Sequence, residues 1–133
     1  MRPSVALSIG GIFYVLLGLI TVLAPGQLVT AVGWPTPGDE TLVPVRDGGT
    51  VLIVLGVIDW LARDAVGSPL RGLLWGNLLR PVGSVAVHVW EIATGAIPAT
   101  VVGVAAVALA VDVALFVLFA LALRNAEGST LRE

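Results

Sequence analysis

Apolar runs of about bilayer length, broken by short polar or proline-rich stretches, set the pattern of this chain. Four such runs are predicted as helices, over about 4–24, 41–63, 70–94 and 99–123, with an external loop over 25–40 and a polar tail over 124–133. The expected fold is all-α: a four-transmembrane-helix bundle forming a single integral membrane domain over residues 1–133.

Ser4–Ala24 is uncharged. It exceeds a usual signal-peptide h-region and has no small-x-small site before Pro25, so it is expected to stay as a helix. Gly10, Gly11, Tyr14, Gly18 and Thr21 share one face, a groove suited to close helix packing. In the loop, Gln27–Trp34 suits a short interfacial turn with Trp34 at headgroup depth, after which Pro35 and Pro37 force extended chain. The second segment starts near Thr41 and carries Pro44 in its first turn, where a missing N–H is tolerated. Its small face is Gly48, Gly49, Leu52, Gly56 and Asp59, with Asp47 opposite. Ser8–Ala24 and Arg46–Ala62 also resemble each other, sharing GG, then LG, then I and LA. Either true repetition or a common need for a small face would account for this.

The third segment, Leu70–Thr94, differs. Counted at 100° per residue from Asn77, its polar residues Asn77, Arg80, Ser84, His88 and Glu91 fall at about 0°, −60°, −20°, 20° and −40°. Such a stripe cannot face lipid and must turn toward protein or a wet cavity. Pro81 predicts a mid-helix kink. The fourth segment is apolar except for Asp112, and Ala105 and Ala108 on the same face leave room for a long neighbouring side chain.

Composition supports the membrane reading. The chain is 57% hydrophobic and 12% charged, against roughly 25% charged in soluble proteins, and its mean hydropathy is +1.01. A net charge of −2 gives no nucleic-acid signal. With no cysteine and one histidine, no metal site and no cofactor are expected. All seven basic residues are Arg. Arg2, Arg63, Arg71, Arg124 and Arg132 fall on one side and Arg46 on the other, which predicts cytoplasmic N and C termini.

Depth along each helix suggests which polar groups meet. Arg80, Asp112 and Tyr14 all lie about 15–16 Å from the cytoplasmic end, so an Arg80–Asp112 pair with the Tyr14 hydroxyl is expected. With Asn77 and Ser84 these residues form the expected buried polar core and possible ligand site. Arg46, Asp47, His88 and Glu91 form an outer cluster in which Glu91 pairs with Arg46. Asp59 comes within reach of Asn77 or Arg63. Each group also has a structural reading: a buried Arg–Asp pair as glue, His88 as a satisfied interfacial residue, the glycine faces as packing.

APGQLVTAVGWP after the first segment, RDGG entering the second and GNLLRP inside the third resemble the small uncharacterised bacterial four-helix membrane proteins grouped loosely with DoxX-like proteins. The resemblance implies an inner-membrane location, four helices and no agreed activity, with Arg46, Gly49, Asn77 and Arg80 as signature positions.

Three functions compete. The first is a non-enzymatic helix-packing subunit or homo-oligomer, partnered by the bilayer and by itself or another membrane protein. The second is a small-solute or proton transporter or channel using the Tyr14/Arg80/Asp112 layer. The third is an enzyme or binding protein for a lipid or small apolar ligand, with His88 and Glu91 available for acid–base work. No catalytic residue is assigned.

Overall fold

Pro3 opens the first helix, where its missing N–H would have had no helical partner. The computed structural model describes residues 1–96 and 101–130, of which Val102, Val104 and 128–130 are described in backbone only. The described residues contain five helices and no strand: α1 (Pro3–Leu23), α2 (Pro25–Ala31), α3 (Asp39–Leu61), α4 (Gly67–Thr94) and α5 (Val102–Thr130). The expected beginning of the fourth segment at Ala99, and tail residues 131–133 with Arg132, lie outside the described residues.

Three helices are long and apolar enough to cross a membrane: α1, α3 and the Ala105–Glu127 part of α5. This is a membrane protein. The third predicted segment has the length, since α4 is 28 residues long. It falls short in hydropathy, because the polar stripe of Asn77, Arg80, Ser84 and His88 interrupts its apolar run.

Several boundaries differ from the reading of the sequence, each for a local reason. The loop expected over 25–40 is partly helical: Pro25 starts α2, and Gly33, at φ 86°, turns the chain after it. α3 begins at Asp39, which puts Asp39 and Glu40 in the first turn, where the helix dipole favours them. Pro44 is therefore past the first turn, and the Glu40 carbonyl loses its helical donor at an exposed end. α4 runs through the buried Pro81 and stops at Gly95, which takes the left-handed conformation at φ 70°. α5 continues to Thr130 rather than fraying after Leu123. Ala126 is buried there, and the Asn125 side-chain amide donates to the Met1 carbonyl at 2.8 Å.

Packing falls into two pairs, α1 with α3 and α4 with α5, joined where α1 meets α5. The junction holds the core of Ala6, Leu7, Tyr14, Leu74, Leu78, Leu115, Phe119 and Ala122. Within the first pair the backbones touch. A Cβ on Gly11 would stand 2.8 Å from the Gly56 carbonyl, and one on Gly56 would stand 2.5 Å from the Gly11 carbonyl. A Cβ on Gly18 would stand 2.5 Å from the Gly49 carbonyl, so the helices are antiparallel.

The resemblance between the two segments makes this interface symmetric. With Ser8 set against Arg46, Gly11 corresponds to Gly49, Val15 to Ile53, Gly18 to Gly56 and Thr21 to Asp59. Each member then meets its counterpart's partner: Gly18 meets Gly49 and Ile53, Gly56 meets Gly11 and Val15, Gly49 meets Thr21 and Gly11 meets Asp59. The repeated pattern is a self-complementary surface folded back on itself.

Candidate functional site

The site starts from Arg80, which the polar stripe places on the inner side of α4. Its guanidinium lies over the Tyr14 ring, 4.5 Å from the centroid, and one nitrogen donates to the Tyr14 hydroxyl at 3.4 Å. The same nitrogen is 3.7 Å from Asp112 Oδ1. α1, α4 and α5 thus each send one side chain to this layer. Tyr14 is wholly buried and Asp112 nearly so, while the Arg80 side chain keeps 29% of its surface exposed. Both polar contacts are longer than the roughly 2.7–2.9 Å of a tight charge-assisted bond.

That exposed surface opens on two clefts. One, of about 360 Å³, is walled by Phe13 and Leu17 of α1, Ser84 and His88 of α4, and Val107, Ala108, Val111 and Asp112 of α5. Ala108 leaves the room there that its position beside Asp112 suggested. The other, of about 430 Å³, lies between α3 and α4 and is lined by Asp59, Asn77, Gly72, Gly76 and apolar neighbours. Arg80 borders both.

His88 is fixed by its own helix. Its Nδ1 lies 2.8 Å from the Ser84 carbonyl and 3.4 Å from the Ser84 hydroxyl. A carbonyl only accepts, so Nδ1 carries the proton, and in the neutral ring Nε2 is the acceptor. Asn77 donates to Asp59 Oδ1 at 2.7 Å and to the Leu73 carbonyl at 3.1 Å. Arg63, the other expected partner of Asp59, instead lies over the Trp60 ring, donates to the Trp60 carbonyl and pairs with Asp64.

The outer cluster is not assembled as expected. No ion pair joins Glu91 to Arg46, and Arg46 and Asp47 are exposed on α3. The reason is helix adjacency: α3 packs along α1, and α4 along α5, so the start of α3 is not a neighbour of the end of α4. His88 faces the Arg80 cleft without them. The apolar walls Phe13, Leu17, Val107 and Val111 carried no signal in the sequence beyond their hydrophobicity.

Comparison with protein-family models, curated proteins and solved structures finds no match for this chain.

Proposed function

We propose that the protein is a four-span inner-membrane protein, with both termini cytoplasmic, that binds an uncharged lipid-like amphiphile in the cleft between α1, α4 and α5. The observation that carries this reading is the state of Arg80. It is held loosely by Tyr14 and Asp112, and its partly exposed side chain lines the cleft. Structural glue favours short, sealed contacts.

The lining selects the ligand class. Arg80 and Asp112 both border the cleft, and their formal charges cancel. A net charge on the ligand would therefore be repelled by one of them. A head bearing hydroxyl and carbonyl groups can accept from Arg80 and donate to Asp112, with Ser84 and His88 Nε2 as further polar partners. Phe13, Leu17, Val107 and Val111 suit an acyl chain. The subunit or oligomer reading is weakened because Gly11, Gly18, Gly49 and Gly56 are consumed inside the α1–α3 pair.

The test is photolabelling of the full chain in nanodiscs with a diacylglycerol carrying a diazirine in one acyl chain. Label is expected on peptides holding Phe13–Leu17, Ser84–His88 and Val107–Asp112, competed by unlabelled diacylglycerol and reduced by Arg80→Gln. Label spread evenly over the lipid-facing surface of α3, with no competition, would overturn the reading.

One observation favours a small-solute carrier as a second reading: Arg80 is the lining residue that the two clefts share. Solute uptake into proteoliposomes above that of empty vesicles, lost in Arg80→Ala, would support it.

A further inference from the structure

Among the described residues, the interior holds two buried carboxylates, Asp59 and Asp112, and the half-buried Arg80. Asp112 is matched by Arg80, which leaves the charge of Asp59 in surplus. Asp59 is 2% exposed and makes no ion pair. Its Oδ1 accepts from Asn77, whereas Oδ2 is buried with no hydrogen-bond partner at all. A carboxyl in such surroundings must be neutralised, by a proton or by a cation.

The space beside it fits the second option. Asp59 forms part of the wall of the α3/α4 cleft, together with Leu55, Ile58 and Leu73. Gly72 and Gly76 form the α4 side, and a Cβ at either would meet nothing within 4 Å. The cleft is thus a mostly apolar slot with Asp59 in its wall and Arg80 at its edge; because Asp112 already matches that guanidinium, Asp59 remains the unmatched charge.

We infer that the α3/α4 cleft is a binding site for a lipophilic primary ammonium, whose N–H groups donate to Asp59 and whose apolar body lies along Leu55, Ile58 and Leu73. Binding exchanges one neutralising cation for another: the carboxyl releases any proton it holds to water as the ammonium enters, so charge balances without a further reactant. The site is separate from the diacylglycerol cleft, and either can fail alone.

The experiment uses the full-length protein in nanodiscs and dicyclohexylcarbodiimide, an apolar reagent for carboxyls shielded from water, with the modified residue located by mass spectrometry. Asp59 is expected to react, and Asp59→Asn to abolish that adduct. Phenylbutylammonium is expected to slow the reaction by about tenfold when present near ten times its Kd, while phenylbutanol, of the same shape and without charge, leaves the rate unchanged. Gly76→Leu, which fills open space in the slot, is expected to remove the protection. Equal protection by the alcohol, no protection by the ammonium, or protection unchanged in Gly76→Leu would each overturn the inference. An unreactive Asp59 in a dimeric chain would overturn it as well, because a second copy's helix would then occupy the slot.

Discussion

Arg80 stacks on the face of Tyr14 while it pairs with Asp112. The guanidinium carbon is 4.5 Å from the ring centroid, whereas the ion pair spans 3.7 Å through a single nitrogen. The ring face and the hydroxyl act separately on the cation, and substitution can part them. Tyr14→Phe keeps the ring and loses only the 3.4 Å hydroxyl contact, so a loss of about 0.5–1 kcal/mol is expected. Tyr14→Leu also loses the stacking, and a total of about 2–3 kcal/mol is expected. Equilibrium unfolding in mixed micelles checks both. Equal losses would mean that the hydroxyl, not the ring, holds the arginine.

The Arg80–Asp112 pair invites a double-substitution cycle. Asp112→Ala leaves a half-buried cation with only the Tyr14 ring and hydroxyl for support, and is expected to cost about 2–4 kcal/mol. Arg80→Ala leaves a buried carboxylate and is expected to cost a similar amount. The double substitution removes both problems, so its loss should fall short of the sum by about 1–3 kcal/mol. The same unfolding assay reads the cycle. Additive losses would show that the two groups do not support each other.

Close backbone contact between α1 and α3 makes the glycines unequal. A methyl on Gly56 would sit 2.5 Å from the Gly11 carbonyl and 2.8 Å from the Val15 backbone nitrogen, atoms that cannot swing aside. Gly56→Ala is therefore expected to destabilise by about 1–3 kcal/mol. A methyl on Gly48 meets nothing within 4 Å. Gly48→Ala should bring only the helix-propensity gain of about 0.5–1 kcal/mol. Opposite signs in one unfolding series are the expected result, and equal effects would refute the close contact.

These contrasts also show what the sequence could reveal. The polar stripe on Leu70–Thr94 and simple depth counting were enough to bring Tyr14, Arg80 and Asp112 to one level. The glycine faces were equally visible, because small residues at helical spacing signal close packing whatever the partner. Which helix each face would meet was not visible. Pairing Glu91 with Arg46 rests on equal depth, which does not say which helices are neighbours, and the Gly11–Gly56 and Gly18–Gly49 contacts draw α3 onto α1. The end of α5 was misread for a related reason. Arg124 and Asn125 look like a solvated tail until Met1 supplies an acceptor 124 positions away in sequence. The cleft walls Phe13 and Leu17 could not be told from lipid-facing residues, since both are simply apolar.

His88 allows a test that needs no substitution. It is the one histidine in the chain, so a single pair of ring-nitrogen signals reports on it. The Ser84 carbonyl, 2.8 Å away, demands a proton on Nδ1, which is the less common site in a free neutral imidazole. Solid-state NMR of uniformly ¹⁵N-histidine-labelled protein in lipid should therefore show a protonated Nδ1 and an unprotonated Nε2. Because the acceptor is backbone, Ser84→Ala should leave that tautomer unchanged. A ligand hydroxyl entering the cleft and donating to His88 should shift the Nε2 signal and not that of Nδ1, so the same spectrum doubles as a binding assay for diacylglycerol. A protonated Nε2 in the empty protein would mean that the ring is not tied to its own helix, and the nitrogen offered to a ligand would be Nδ1 instead.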